Sequence, residues 1–174
     1  MDILIEALTN NDWEAVRSIY IEGIATGEAT LETDPPSFEE WDSSHLADCR
    51  LIARRGDQIV GWAALSPVST RYVYRGVAEV SIYIAASCRG EGIGKALLNA
   101  LIEASEGAGI WTLESTMFPE NAASIWLHKT CGFREVGIRE RIGELDGKWR
   151  DTILMERRSH LIKGGAQDSV RADG

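Results

Sequence analysis

The stretch Val77-Ala78-Glu79-Val80-Ser81-Ile82-Tyr83-Ile84, followed four residues later by Arg89-Gly90-Glu91-Gly92-Ile93-Gly94-Lys95, joins two periodicities in one segment. Val80, Ile82 and Ile84 recur at every second position, the period of a strand. From Ile93 onward the apolar positions Ala96, Leu97, Ala100, Leu101 and Ala104 follow at intervals of three and four, the period of a helix. Between the two, alternating glycines let the backbone take positive φ and come close to a ligand. A helix start behind such a loop presents unpaired N–H groups and a partial positive charge. That combination suits an anion, above all a phosphate or pyrophosphate.

Four readings of the loop compete. A P-loop needs Gly-Lys followed by Ser or Thr to hold magnesium, and Ala96 follows Lys95. A dinucleotide-binding loop sits after the first strand of its domain, whereas this one lies mid-chain. The third reading is the Arg-x-x-Gly-x-Gly pyrophosphate loop of acyl-CoA enzymes, and the fourth is a plain glycine-rich turn.

Outward from this segment the same two periods alternate. Ile3 and Ile5 predict a first strand. Asn10-Asn11-Asp12 supplies cap chemistry for a helix burying Trp13, Val16, Tyr20 and Ile24. A turn-rich stretch from Thr26 to Pro36 leads to Ser37 and Glu40, a capping-box pattern opening a short helix through Trp41 and Leu46. Leu51 to Ala53 and Ile59 to Leu65 predict a hairpin about Arg55-Gly56-Asp57. Val77 to Ala85 and Ile110 to Thr116 are strands, and Asn121 to Thr130 is a helix stopped by Gly132. Glu135 to Ile142 and Trp149 to Glu156 flank the Asp146-Gly147 turn. The order predicts an α/β (α+β) fold on one mixed sheet, one domain over residues 1–158. Residues 159–174 are small, polar and glycine-bearing, the composition of a tail.

Composition narrows the function. Among 174 residues, 44% are hydrophobic, enough for a core, and no apolar run is long enough to span a membrane. The net charge of −9 argues against nucleic-acid binding, which needs Lys and Arg to displace counterions. The N-terminus carries no basic-then-apolar signal region, which predicts a cytoplasmic protein. Cys49, Cys88 and Cys131 are too few and too scattered for a disulfide framework or a zinc site, so no metal is expected.

The chain resembles the GCN5-related N-acetyltransferase (GNAT) superfamily. The resemblance rests on Val80 to Ile84 with Arg89 to Gly94 and the helix behind them. It rests also on Asn121-Ala122-Ala123-Ser124, Leu127-His128-Lys129 and Cys131-Gly132-Phe133. More narrowly, three further stretches are similar to the phosphinothricin and methionine sulfoximine acetyltransferases. These are Ala29 to Thr33 with Pro35-Pro36-Ser37 and Glu40-Trp41, Gly76 to Glu79, and Asp146 to Asp151. The resemblance implies a mostly antiparallel mixed sheet with a splayed central strand pair. It also implies acetyl-CoA as co-substrate, a homodimer, and a toxic glutamate analogue (phosphinothricin, methionine sulfoximine or arsinothricin type) as acceptor. Two other readings stand beside it: an acetyltransferase for a peptide N-terminus, a polyamine or another amino acid, and a non-catalytic acyl-CoA-binding module.

Acetyl transfer to an amine assigns the chemistry. An ammonium has no lone pair, so a carboxylate must take its proton. Glu79, opening the central strand, is the candidate base, against the alternative of a solvated or paired charge. The resemblance implies the same residue. A main-chain N–H at Ile82 is the expected donor to the thioester oxygen. His128, where several superfamily members carry a tyrosine, is the candidate proton donor to the thiolate, against a core-edge histidine. Ile82, Tyr83 and Ile84 are expected along the pantetheine. Arg89, Gly90, Glu91, Gly92, Ile93, Gly94 and Lys95 are expected about the pyrophosphate, with Asn121 and Ser124 beside the arm. Arg71 and Arg75, whose forks suit carboxylate or phosphinate oxygens, are the expected substrate anchors unless they are surface charges. Thr30 and Thr33 add hydroxyls, and Tyr72, Tyr74 and Trp62 wall the pocket. Trp13, Trp111 and Trp126 are expected in the core. Arg150 departs from part of the subfamily, a difference that bears on the substrate.

Overall fold

The computed structural model describes residues 2–163. Seven strands form one sheet: β1 (Ile3–Ala7), β2 (Leu51–Arg55), β3 (Gln58–Pro67), β4 (Val77–Ile84), β5 (Thr112–Met117), β6 (Arg134–Leu145) and β7 (Lys148–Arg158). Their order is β1-β2-β3-β4-β5-β7-β6. Among the described residues β4 and β5 are the one parallel pair, and the rest are antiparallel. Four helices accompany the sheet: α1 (Trp13–Ala25), α2 (Phe38–Ser44), α3 (Ile93–Gly107) and α4 (Ala122–Thr130).

The α3 face carries the larger core, in which Leu97, Leu98, Leu101 and Ile102 pack against Ala78, Val80, Leu113 and Met155. The buried stripe is Ile93, Leu97, Leu98, Leu101, Ile102 and Ser105, rotated from the one expected. The leucine and isoleucine side chains bury more apolar area than Ala96, Ala100 and Ala104, so they set the face. The opposite sheet face carries α1, α2 and a cluster of Val16, Ile19, Trp41, Ile52, Trp62 and Ala64. Trp13, Tyr20 and Ile24 are only partly buried, and α1 instead turns Val16, Ile19 and Gly23 inward. Gly23 explains the rotation: a Cβ there would lie 2.6 Å from the Tyr83 ring, so the bare backbone admits Tyr83 against the helix.

Capping fixes both ends of this layer. Ser37 and Glu40 form the expected capping box on α2, whereas Thr9 and Asp12 pair one turn ahead of α1 and open it with a 3₁₀ turn over Asn10–Asp12. β6 and β7 run longer than expected, from Arg134 and to Arg158: register shifts at Glu135/Gly137 and Arg139/Gly143 absorb extra residues in β6, and β7 goes on past β6 to pair Arg157 and Arg158 with Leu113 and Thr112 of β5. At the start of the expected tail, Ser159 is buried and its N–H donates to the Trp111 carbonyl at 2.9 Å. Residues 164–174 of that stretch lie outside the described residues.

The one parallel ladder is short. It runs only from Val77↔Thr112 to Glu79↔Glu114, after which β4 and β5 part. Its entry is held by Gly76, whose carbonyl accepts from the Trp111 and Thr112 N–H groups at 2.8 and 3.0 Å. The Trp111 ring lies flat against Gly76, where a Cβ would overlap it. Gly76→Ala is therefore expected to destabilise the chain by about 1–3 kcal/mol through overpacking. It should be read as a lower urea midpoint at unchanged slope, and an unchanged midpoint would show that Trp111 yields freely.

Candidate active site

Where β4 and β5 part, a cleft of about 1420 Å³ opens in the middle of the sheet. One wall is β4 from Glu79 to Ile84, and the other is Ser115, Thr116, Met117 and Phe118 at the end of β5 and just beyond it. β3 occupies only one edge of β4. Backbone groups on the other edge past Glu79 therefore lack a ladder partner, which leaves N–H donors along the cleft.

At one end the glycine loop meets α3. Gly90 and Gly92 take φ of +80° and +83°, values that only glycine adopts without strain. Gly92 caps α3 with no side-chain bond to the first turn, so the N–H groups of Ile93, Gly94 and Lys95 are left for a ligand. No atom stands within 4 Å of a Cβ built on Gly90 or Gly92. Arg89, Gly90, Gly92, Gly94 and Lys95 all line the cleft. Two expected loop contacts are different: Glu91 pairs with Arg55, and Ile93 is buried in the core. Asn121 caps α4 by accepting from the Ser124 N–H at 3.1 Å and donates to the Glu28 carbonyl at 3.3 Å, tying the α1–α2 connection across the cleft.

Glu79 stands at the fork itself. Burial, the largest influence, raises its pKa; the Thr116 hydroxyl lowers it, Glu114 raises it and Arg139 lowers it, with burial prevailing. An Arg139 N–H donates to Thr116 Oγ1 at 3.1 Å, which leaves the threonine proton free for Glu79. Tyr83 is held un-ionised by burial, with Thr30 and Tyr20 as polar neighbours.

His128 is buried and lines the cleft. Its Nδ1 lies 2.8 Å from the Ser124 carbonyl oxygen, which can only accept, so Nδ1 carries the proton. Burial lowers its pKa against that bond. Burial favours the neutral ring, in which the lone pair is on Nε2, and Nε2 finds no partner among the described residues.

The expected substrate anchors divide. Thr30 and Trp62 line the cleft. Thr33 is exposed and bonds Asp34. Arg71, Arg75 and Tyr74 do not reach the cleft, because the 3₁₀ turn Tyr72–Tyr74 carries them outside it. Arg75 stacks on Tyr72 and Trp111 at 4.3 and 5.2 Å, and Arg71 on Tyr74 at 5.3 Å. Trp126, expected in the core, is 65% exposed at the cleft. Two cations that the residue pattern did not single out as anchors stand against residues of the cleft wall, behind the lining itself. Arg139 bonds Thr116, and Arg150 lies 3.9 Å over Phe118 and 3.5 Å from Glu120. Their signal was register within a hairpin, which spacing along one strand does not reveal.

A carboxyl whose pKa is raised by folding stabilises the fold below its unfolded value of about 4.3, and that contribution is lost as pH climbs through the folded value. Glu79→Gln removes the ionisation. The variant should gain urea stability over the native chain at about pH 7.5 and show no gain at about pH 4. A less stable variant at the higher pH would overturn the desolvation of Glu79.

This geometry has relatives. Residues 8–133 match the acetyltransferase (GNAT) family. The phosphinothricin N-acetyltransferase of Alcaligenes faecalis is 33% identical over 164 residues, covering 88% of this chain and 81% of that one. An L-methionine sulfoximine/L-methionine sulfone acetyltransferase of Pseudomonas paraeruginosa is 33% identical over 99 residues, 57% of this chain and 58% of that one. The crystal structure of a Sinorhizobium meliloti phosphinothricin acetyltransferase in complex with acetyl-CoA aligns at TM-score 0.81 and 30% identity, covering 91% and 89% of the two chains. With its splayed parallel pair, its glycine loop and a match over most of its length, the chain belongs to the acetyltransferase (GNAT) family.

Proposed function

We propose that this protein transfers the acetyl group of acetyl-CoA to the α-amine of a small amino acid of the phosphinothricin or methionine sulfoximine type. The observation that carries the reading is Glu79, a carboxyl with raised pKa at the point where β4 and β5 part, in the same cleft as an anion-ready loop. The relatives named for phosphinothricin and methionine sulfoximine support the acceptor class.

The cleft fits the donor. The free first-turn N–H groups of α3 and the open space over Gly90 and Gly92 suit a pyrophosphate. The unpaired edge of β4 suits the amides of an extended arm. Acetyl-CoA supplies the acyl group as a thioester. The ammonium of the acceptor gives up two protons: Glu79 takes the first and passes it to solvent, and the second ends on the thiol. The new C–N bond replaces the C–S bond, and free N–H groups on β4 stand ready for the carbonyl oxygen. Neutral His128 is not a stored proton for the sulfur; it offers an acceptor to a donor in the cleft.

Thiol release is the direct test, with phosphinothricin, methionine sulfoximine, methionine sulfone, common amino acids, a polyamine and a short peptide as acceptors. Saturable turnover on one or more of the first three is expected, and Glu79→Gln should lower kcat by about a hundredfold or more. Turnover on the peptide or polyamine alone would overturn the acceptor assignment. Acetyl-CoA binding without any turnover would overturn the enzyme.

Gly92→Val should weaken acetyl-CoA binding by about tenfold or more, since a branched side chain strains φ of +83° and fills the space over the loop. Calorimetry on a variant with unchanged circular dichroism reads this, and an unchanged Kd would remove the loop from the site.

A further inference from the structure

Register places on the sheet face of Glu79, in the same cleft, one polar group that the chemistry above does not use. Glu79 pairs with Glu114, and Thr116 lies two residues on along the same face. Thr116 pairs with Leu154, so Thr152 shares that face as well. Across the next ladder Thr152 pairs with Arg139, which puts the two side chains next to each other. Thr152 lines the cleft and is 2% exposed, and its hydroxyl has no hydrogen-bond partner among the described residues. A buried hydroxyl without a partner is unfavourable unless something in the cleft completes it. Arg139 gives one N–H to Thr116, and a guanidinium has five.

We propose that Arg139 and Thr152 together bind the α-carboxylate of the acceptor amino acid, and that this pair sets the preference for an α-amino acid over a plain amine. The inference rests on the reading that the acceptor amine stands at Glu79. Arg139 bonds Thr116, and both the Thr116 hydroxyl and the Arg139 charge act on the Glu79 carboxyl. An anion held there is next to the amine, as in an α-amino acid, rather than at the far end of a side chain. Planar guanidinium and carboxylate match as a fork, and the Thr152 hydroxyl supplies a second donor. Glu79, Glu114 and Glu156 share this sheet face; Arg134 pairs with Glu156, and Arg139 is the cation that acts on Glu79. The same pair of contacts explains how one arginine serves two roles. It holds Thr116 toward the base and offers its remaining donors to the substrate.

The test pairs L-methionine sulfone with its carboxamide, which keeps the amine and removes the carboxylate charge. Binding to the CoA-loaded protein is measured by calorimetry, and turnover by thiol release. Native protein should bind the acid at least about tenfold more tightly than the amide. Arg139→Met and Thr152→Val should each erase most of that preference while leaving the KM for acetyl-CoA unchanged, and Arg139→Lys should restore part of it. Thr152→Val is nearly isosteric and removes an unsatisfied hydroxyl, so it is expected to fold. Variants that bind the acid as tightly as the native protein would overturn the pair. So would an equal fall in kcat for acid and amide with KM unmoved, which would leave Arg139 only as the group that holds Thr116. Binding with the predicted preference but no turnover would sustain the pair and overturn the transferase reading. Absence of binding to either compound would overturn both.

Discussion

The molecule depends on a ladder that stops. Three residue pairs join β4 to β5, and beyond Glu79 and Glu114 the two strands diverge. A parallel pair continued to its end would close the sheet and satisfy its own backbone. Divergence instead leaves a row of donors and acceptors facing a gap, and every feature of the site is arranged about that gap. The α3 core keeps the strands from separating at their other end, where Ala78, Val80 and Leu113 are packed beneath the helix. Gly76 and Trp111 clamp the entry. Packing on one side thus sustains an opening on the other.

Electrostatics follow from the same divergence. Glu79 is the last residue of β4 paired with β5, and its half-buried side chain lines the cleft that opens there. Desolvation outweighs both the Thr116 bond and the Arg139 charge, and Glu114 on the neighbouring strand pushes the same way. His128 is shifted by the same cause with the opposite chemical result, since burial of a base favours its neutral form. One buried environment therefore prepares a carboxyl that holds its proton longer and an imidazole that holds none on Nε2.

Much of this was legible in the residues. The strand–loop–helix at Val77 to Lys95 was readable because the fold expresses it locally: alternation, glycines and a helical stripe are all properties of neighbours in the chain. Glu79 was readable for the same reason. Arg71 and Arg75 stand near Glu79 in the sequence but away from its cleft in this chain, because a 3₁₀ turn and stacking on Tyr72, Tyr74 and Trp111 hold them there. The rotation of α1 was hidden because it depends on Gly23 meeting Tyr83, sixty residues away. Arg139 and Thr152 were hidden because bulges in β6 decide which residue faces which, and bulges leave no periodic trace.

The family match ends at residue 133, one position before β6 begins. Glu79, the glycine loop and the capping Asn121 all lie within it, while Arg139, Arg150 and Thr152 lie on the hairpin beyond. That hairpin holds two register shifts and a non-glycine residue, Arg141, at φ of +50°, so its alignment is adjustable by single insertions. Changes confined to that ribbon would therefore reshape the wall of the cleft at Thr152 while leaving Glu79, the glycine loop and α3 as they are.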